Sequence, residues 1–165
     1  MIFKKLMKII AMTGQAQLNI RSIAFSHGGH IPPLYTCEGK NINPPFEINN
    51  IPGDAKTLAL IMEDPDAPGG TFYHWLVWNI VPRSTIHEND TPGICGKNSF
   101  RDNHYGGPCP PDGEHRYYFK IFALDTELDL AEGVTYSALI NAMEGHILAT
   151  GEIMGLYKKR GTSEH

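Results

Sequence analysis

The chain reads as a mostly β protein with one main C-terminal α-helix and short helical turns, and three observations predict it. Prolines and glycines break the sequence repeatedly between residues 28 and 113, in "HGGHIPP", "NPP", "IPGD", "DPDAPGG", "TPG" and "GGPCPPDG". The apolar runs between these breakers are short, as strands joined by long loops are. A single stretch near the C-terminus carries apolar residues at the three-and-four spacing of a helix.

Taken in order, "QLNIRSIAF" (17–25) reads as the first strand. "KTLALIME" (56–63), "FYHWLVWNIV" (72–81) and "HRYYFKIFAL" (115–124) are the three clearest strands. Each has apolar residues on both alternating faces, so each is expected at the centre of a sheet or sandwich, covered on both sides. A short helix or turn is expected over "ELDLAEG". In "TYSALINAMEGHILAT" the residues Tyr136, Leu139, Ile140, Met143 and Ile147 form one buried helical stripe, with Thr135 as the N-cap. "GEIMGLYKK" (151–159) reads as the last strand.

With 165 residues, 41% of them hydrophobic, the chain has enough apolar material for one sizeable core. We read residues 17–160 as a single domain, 1–16 as a poorly ordered or loosely docked extension, and 161–165 as a tail. A short amphipathic arm touching a membrane is the alternative for the extension. Lys4, Lys5 and Lys8 interrupt its apolar residues, so it is too broken for a signal peptide, and no stretch approaches the ~18 apolar residues of a membrane span. The expectation is a soluble, cytoplasmic protein with no stable membrane insertion. Its 14 basic and 18 acidic residues are spread along the chain, so nucleic acid is not an expected partner. Cys37, Cys95 and Cys109 form neither a CxxC motif nor an even set, and they are expected to be reduced, mostly buried thiols.

The chemistry concentrates around two stretches. In "DPDAPGGTFYHW" (64–75), Asp64 and Asp66 lie just past the end of a strand, with Pro65 and Pro68 fixing the backbone around them. His74 follows near the start of the next strand, and strict alternation gives it the face of Phe72, Leu76 and Trp78. In "YGGPCPPDGEHRYYF" (105–119), alternation places His115 and Tyr117 on one face, directly after a glycine- and proline-rich loop. Two readings follow. Either "DPDAPGG" is an ordinary Asx-Pro turn beside two semi-buried, satisfied histidines, or the acids orient imidazoles that meet an anion.

These same stretches resemble a known family. "DPDAP" followed by "HW", then "YGGPCPPDGEHRYYF", then "AMEGHILATGEIMGLYKK", in this order, are similar to the signatures of the phosphatidylethanolamine-binding protein family, in its bacterial and archaeal, Raf-kinase-inhibitor-like branch. "YTCEGKNINPPFEINNIP" fits its N-terminal part, so the resemblance spans roughly residues 18 to 160. It implies a β-sandwich of antiparallel-rich sheets with a shallow pocket for phosphate-like anions. Carried over by position, Asp64, Asp66 and Pro68 are the acidic turn and His74 the first pocket histidine. His115 and Tyr117 of the His-Arg-Tyr run line the pocket, and Gly106, Gly107, Pro108, Pro110 and Pro111 form its rim. On this pattern a phosphate accepts from His74, His115, the Tyr117 hydroxyl and the Gly106–Gly107 backbone amides, while Asp64 holds an imidazole in its donating form. Anion affinity is then expected to be greater near pH 6 than near pH 8.

No cofactor or metal is expected. His74, His115 and Asp64 are the residue types of a metal hydrolase, the weaker reading, and His27 and His30 of "HGGH" read as a solvated loop rather than a metal site. Ser26, Ser84 and Ser99 sit in no nucleophile-elbow motif, and nothing basic surrounds Cys109 to activate it. The expected function is therefore a binding module for a small phosphorylated or anionic ligand, able to modulate a partner such as a kinase. The alternative is a hydrolase or a protease inhibitor using the same site or its rim loops. The resemblance also raises a homodimer as an expectation.

Overall fold

The computed structural model describes residues 16–160. Most of the expected N-terminal extension and all of the expected C-terminal tail lie outside that range.

The strands are β1 (Ala16–Gln17), β2 (Asn19–Arg21), β3 (Phe46–Asn49), β4 (Thr57–Asp64), β5 (Phe72–Ile80), β6 (Thr85–Ile86), β7 (Ile94–Cys95), β8 (Glu114–Leu124) and β9 (Ile147–Lys158). Among the described residues, one 3-10 turn covers Pro33–Tyr35, and one helix, α1, covers Tyr136–Met143. The strands form a six-stranded sheet in the order β1-β9-β8-β4-β5-β7 and a three-stranded sheet in the order β2-β3-β6. All the pairings are antiparallel except that of β1 with β9. The chain is mostly β, as its punctuation predicts.

The doubly apolar strands are central because both faces of the large sheet are covered. Leu58, Leu60 and Met62 of β4 pack with Phe46 and Ile48 of β3 in the layer between the sheets. Ala59 and Ile61, pointing the other way, pack with Leu139, Ile140 and Met143 of α1. The residues named on β4 are fully buried, so period-2 alternation here separates two cores rather than core from solvent.

Three local expectations change. The first strand splits, because Leu18 turns the chain from β1 in one sheet to β2 in the other. The helix stops at Met143, and the chain turns back through Gly145 at φ 84° into β9. A left-handed residue costs glycine little, which makes this a ready helix end. Ile147 still reaches the cluster beneath α1, but from a strand, so a helical spacing fits a residue that is not helical. "ELDLAEG" contains a turn at Glu132 and Gly133 and no helix. Thr135 caps α1 as expected, its hydroxyl accepting from the Ala138 amide at 3.4 Å.

Among the described residues, no helix is long and apolar enough to cross a membrane. The cysteine expectation is wrong for two of the three: Cys37 and Cys109 form a disulfide across 72 residues of sequence, and Cys95 is free and buried. The spacing of cysteines in sequence says nothing about which loops meet in space, and here the rim loop returns beside the segment after the 3-10 turn.

A cavity at the end of the central strands

Asp64 is the last residue of β4, and the antiparallel pairing of β4 with β8 brings it to the start of β8, where His115 and Tyr117 lie. The Nδ1 of His115 donates to the Asp64 Oδ2 at 2.6 Å, and both side chains are almost fully buried. The other Asp64 oxygen accepts from the Asp66 amide at 2.8 Å, the Asx turn that "DPD" encodes. A single carboxylate thus closes its own turn and fixes an imidazole 51 residues away.

His74 reaches the same place through a break in alternation. Met62 pairs with Trp75 but Glu63 pairs with Tyr73, so β5 carries one extra residue at His74. Leu76 and Trp78 pack under α1, while the His74 ring lies edge-on to Tyr117 at 5.3 Å and beside Phe72 at 4.9 Å. The expected sharing of a face with Leu76 and Trp78 is therefore incorrect, and that with Phe72 is correct. The His74 Nδ1 donates to the Gly106 carbonyl at 2.7 Å. Burial is the main influence on this imidazole and pushes its pKa below the ordinary histidine value.

Tyr117 is fully buried, and its hydroxyl makes no hydrogen bond of ordinary geometry among the described residues. Burial, followed by the Asp64 charge and the pull of the Asp64 carboxylate on the hydroxyl proton, holds that proton far above the usual phenol range. Together these side chains line a cavity of about 430 Å³ with Pro68, Pro110 and Pro111. Residues that sequence reasoning missed complete it: Ala67, Gly69, Gly70, Thr71, Phe72, Phe100 and Cys109.

The expected site residues do not all reach this cavity. Asp66 turns outward and holds Arg116: its Oδ2 accepts from the Arg116 Nε and amide at 2.9 Å each, and its Oδ1 accepts from Nη2 at 2.8 Å. The guanidinium hydrogen bonds lower the Asp66 carboxyl to about 2. Asp66 thus straps the turn to β8. The Gly106 amide donates to the His74 carbonyl and the Gly107 amide to the Asn41 Oδ1, so these backbone donors are already used. Pro108 accepts from the Cys37 amide. A Cβ on Gly107 would collide with the Tyr35 carbonyl, which explains a glycine there without a ligand.

Phe100 owes its place to Asn98, whose buried side chain accepts from the Phe100 and Asp102 amides and donates to the His104 and His74 carbonyls. An asparagine in "KNSFRDN" is a turn signal in sequence, and only burial reveals it as the anchor of the cavity's aromatic lip. In "HGGH", His30 pairs with the exposed Glu114 and the His27 Nδ1 accepts from the Met154 amide. Among the described residues no three His, Cys, Asp or Glu side chains are grouped to hold a metal.

Comparison with known proteins agrees with this architecture. The model of the family described as phosphatidylethanolamine-binding protein matches residues 21–158. A UPF0098 protein of Methanothermobacter thermautotrophicus is 44% identical over 150 residues, covering 86% of this chain and 99% of that one. The solved phosphatidylethanolamine-binding protein homologue CT736 of Chlamydia trachomatis superposes with a TM-score of 0.84 at 44% identity, covering 87% of this chain and 99% of the other. YbcL of E. coli, described as a member of the mammalian PEBP family, superposes with a TM-score of 0.80 at 27% identity, covering 88% of this chain and all of that one. Fold, matched residues and relatives agree that the chain belongs to the phosphatidylethanolamine-binding protein family.

Proposed function

We propose that the protein binds a small phosphorylated or otherwise anionic ligand in the cavity at the ends of β4, β5 and β8, and that an occupied cavity modulates a partner protein such as a kinase. The observation that carries this reading is the Tyr117 hydroxyl, fully buried without an ordinary hydrogen bond beside the Asp64–His115 pair. A buried donor without a well-aligned partner is costly, and an oxygen acceptor entering the cavity would give this hydroxyl one beyond its off-geometry interaction with Asp64. With the Nδ1 proton of His115 on Asp64, its Nε2 donates to the same acceptor when the ring carries a second proton, whose charge Asp64 balances. Family membership supports ligand binding in general.

A hydrolase reading has less support. The thiol nearest the site, Cys109, is committed to the disulfide with Cys37. Titration with inorganic phosphate and phosphoethanolamine, followed by NMR of the histidine rings, tests the proposal. Both His74 and His115 should shift, and His115→Ala should abolish binding. Unmoved rings would sink it, and turnover of p-nitrophenyl phosphate that is lost in Asp64→Asn would favour the enzyme.

A further inference from the structure

The cavity contains an asymmetry that the anion reading alone does not use. A backbone carbonyl can only accept, so the 2.7 Å contact with the Gly106 oxygen fixes the His74 proton on Nδ1. The neutral ring then has a bare Nε2 to offer the cavity it lines, and that nitrogen is an acceptor. Aromatic rings surround the imidazole: Phe72 at 4.9 Å, Tyr117 at 5.3 Å and Phe100 at 5.4 Å. Of the charged or titratable groups near it, β4 contributes Asp64 and β8 contributes His115 and Tyr117. The rim loop contributes the Gly106 and Gly107 carbonyls, and the segment anchored by Asn98 contributes the Phe100 ring. Burial outweighs the attraction of Asp64, and His115 opposes a second positive charge.

The charge count points the same way. Among the described residues, none that lines the cavity is lysine or arginine, and the neighbouring Arg116 is turned away onto Asp66. Even with His115 as an imidazolium, its charge is matched by Asp64. A phosphate dianion would therefore meet no net positive charge, and one of its oxygens would face the lone pair of His74.

Resting on the anion reading, we infer that His74 is a hydrogen-bond acceptor for the ligand, and that the cavity selects an oxyanion carrying its own proton, a phosphate monoester in its monoanionic P–OH form. The P–OH donates to the His74 Nε2, while the remaining oxygens accept from Tyr117 and from the doubly protonated ring of His115, whose charge Asp64 balances. A phosphodiester or a sulfonate has the same single charge but no proton to give. It leaves the buried Nε2 facing an oxygen, a mismatch that costs about tenfold or more in affinity.

The test uses the wild-type chain, so nothing depends on a variant folding. Binding of methyl phosphate, dimethyl phosphate and methanesulfonate is measured by calorimetry at pH 6, and methyl phosphate again at pH 8, where it has lost the proton that titrates near about pH 6. Nitrogen-15 spectra report the His74 ring in the free and bound protein. The inference expects methyl phosphate to bind about tenfold or more tightly than the other two at pH 6, to weaken at pH 8, and to leave the His74 Nε2 unprotonated in the complex. Dimethyl phosphate or methanesulfonate binding as well as methyl phosphate would overturn it while leaving the anion reading standing. So would a proton on Nε2 in the complex. Binding of none of the three would overturn the anion reading and this inference together.

Discussion

Glu114 and His115 are neighbours on β8, and each belongs to a histidine–carboxylate pair. Glu114 faces outward and accepts from the His30 Nε2 at 2.8 Å, and His115 faces inward onto Asp64 at 2.6 Å. The distances nearly match, but the surroundings do not. The side chains of His30 and Glu114 are 71% and 43% exposed, and those of His115 and Asp64 are 8% and 4% exposed. Water competes for every hydrogen bond of the outer pair and screens its charges, so that pair is close to energetically neutral. The inner pair has given up water, so each partner depends on the other. Burial, not contact distance, separates a surface ornament from a site.

The largest expected effect follows from breaking the inner pair. His115→Ala leaves the Asp64 carboxylate buried without its imidazole, and urea denaturation should show a loss of about 3 kcal/mol. Phosphate binding should disappear with it. Next comes Tyr117→Phe, which removes a hydroxyl that makes no hydrogen bond of ordinary geometry among the described residues. Stability should hold or rise slightly, while phosphate affinity measured by calorimetry falls about tenfold. A drop in both would mean that the hydroxyl has a structural partner.

A smaller effect is expected from pH. Because burial depresses the His74 pKa, the unfolded chain binds the proton more readily than the folded one. The protein should be most stable above about pH 6.5, the ordinary histidine value, and should weaken as pH falls below it toward the folded value. Urea midpoints at pH 7, 6 and 5 would show this slope, and His74→Gln should flatten it. Asp66 acts in the acid range in the same direction, since its folded carboxyl also binds the proton less readily than the unfolded one. Its carboxyl is lowered to about 2 by Arg116, so its contribution is present above about pH 4 and lost as pH falls toward 2. Acid unfolding followed by tryptophan fluorescence should lose that part in Asp66→Asn. The smallest effect belongs to the outer pair: His30→Ala should change stability by less than about 0.5 kcal/mol in the same urea assay.

Much of the site was legible in the chain because its residues lie at element ends that local chemistry marks. The "DPD" turn, the same-face placement of His115 and Tyr117, and the central rank of the three apolar strands follow from side-chain alternation and proline geometry. Those signals act over a few residues. His74 shows where they stop: its face depends on an extra residue opposite Met62 and Glu63, and a strand read alone cannot show how its partner is spaced. The Gly106 and Gly107 amides are a second case. A glycine-rich loop predicts free backbone donors, but the fold brings Asn41 and the His74 carbonyl to them first.

The sequence by itself determined the strand-rich architecture, the buried stripe of the helix, the Asx turn at Asp64 and the shared face of His115 and Tyr117, since each depends on periodicity or turn chemistry carried within one segment. The tertiary structure alone decided that Asp64 holds His115, that Asp66 instead straps Arg116, that Cys37 meets Cys109, and that the His74 Nδ1 meets the Gly106 carbonyl. Each of these is a contact between segments at least 32 residues apart, from the His74–Gly106 bond to the 72-residue span of the disulfide. Such contacts form only once two core layers have set the strands in register, because hydrophobic burial fixes the frame and the polar partners are then chosen by proximity within it.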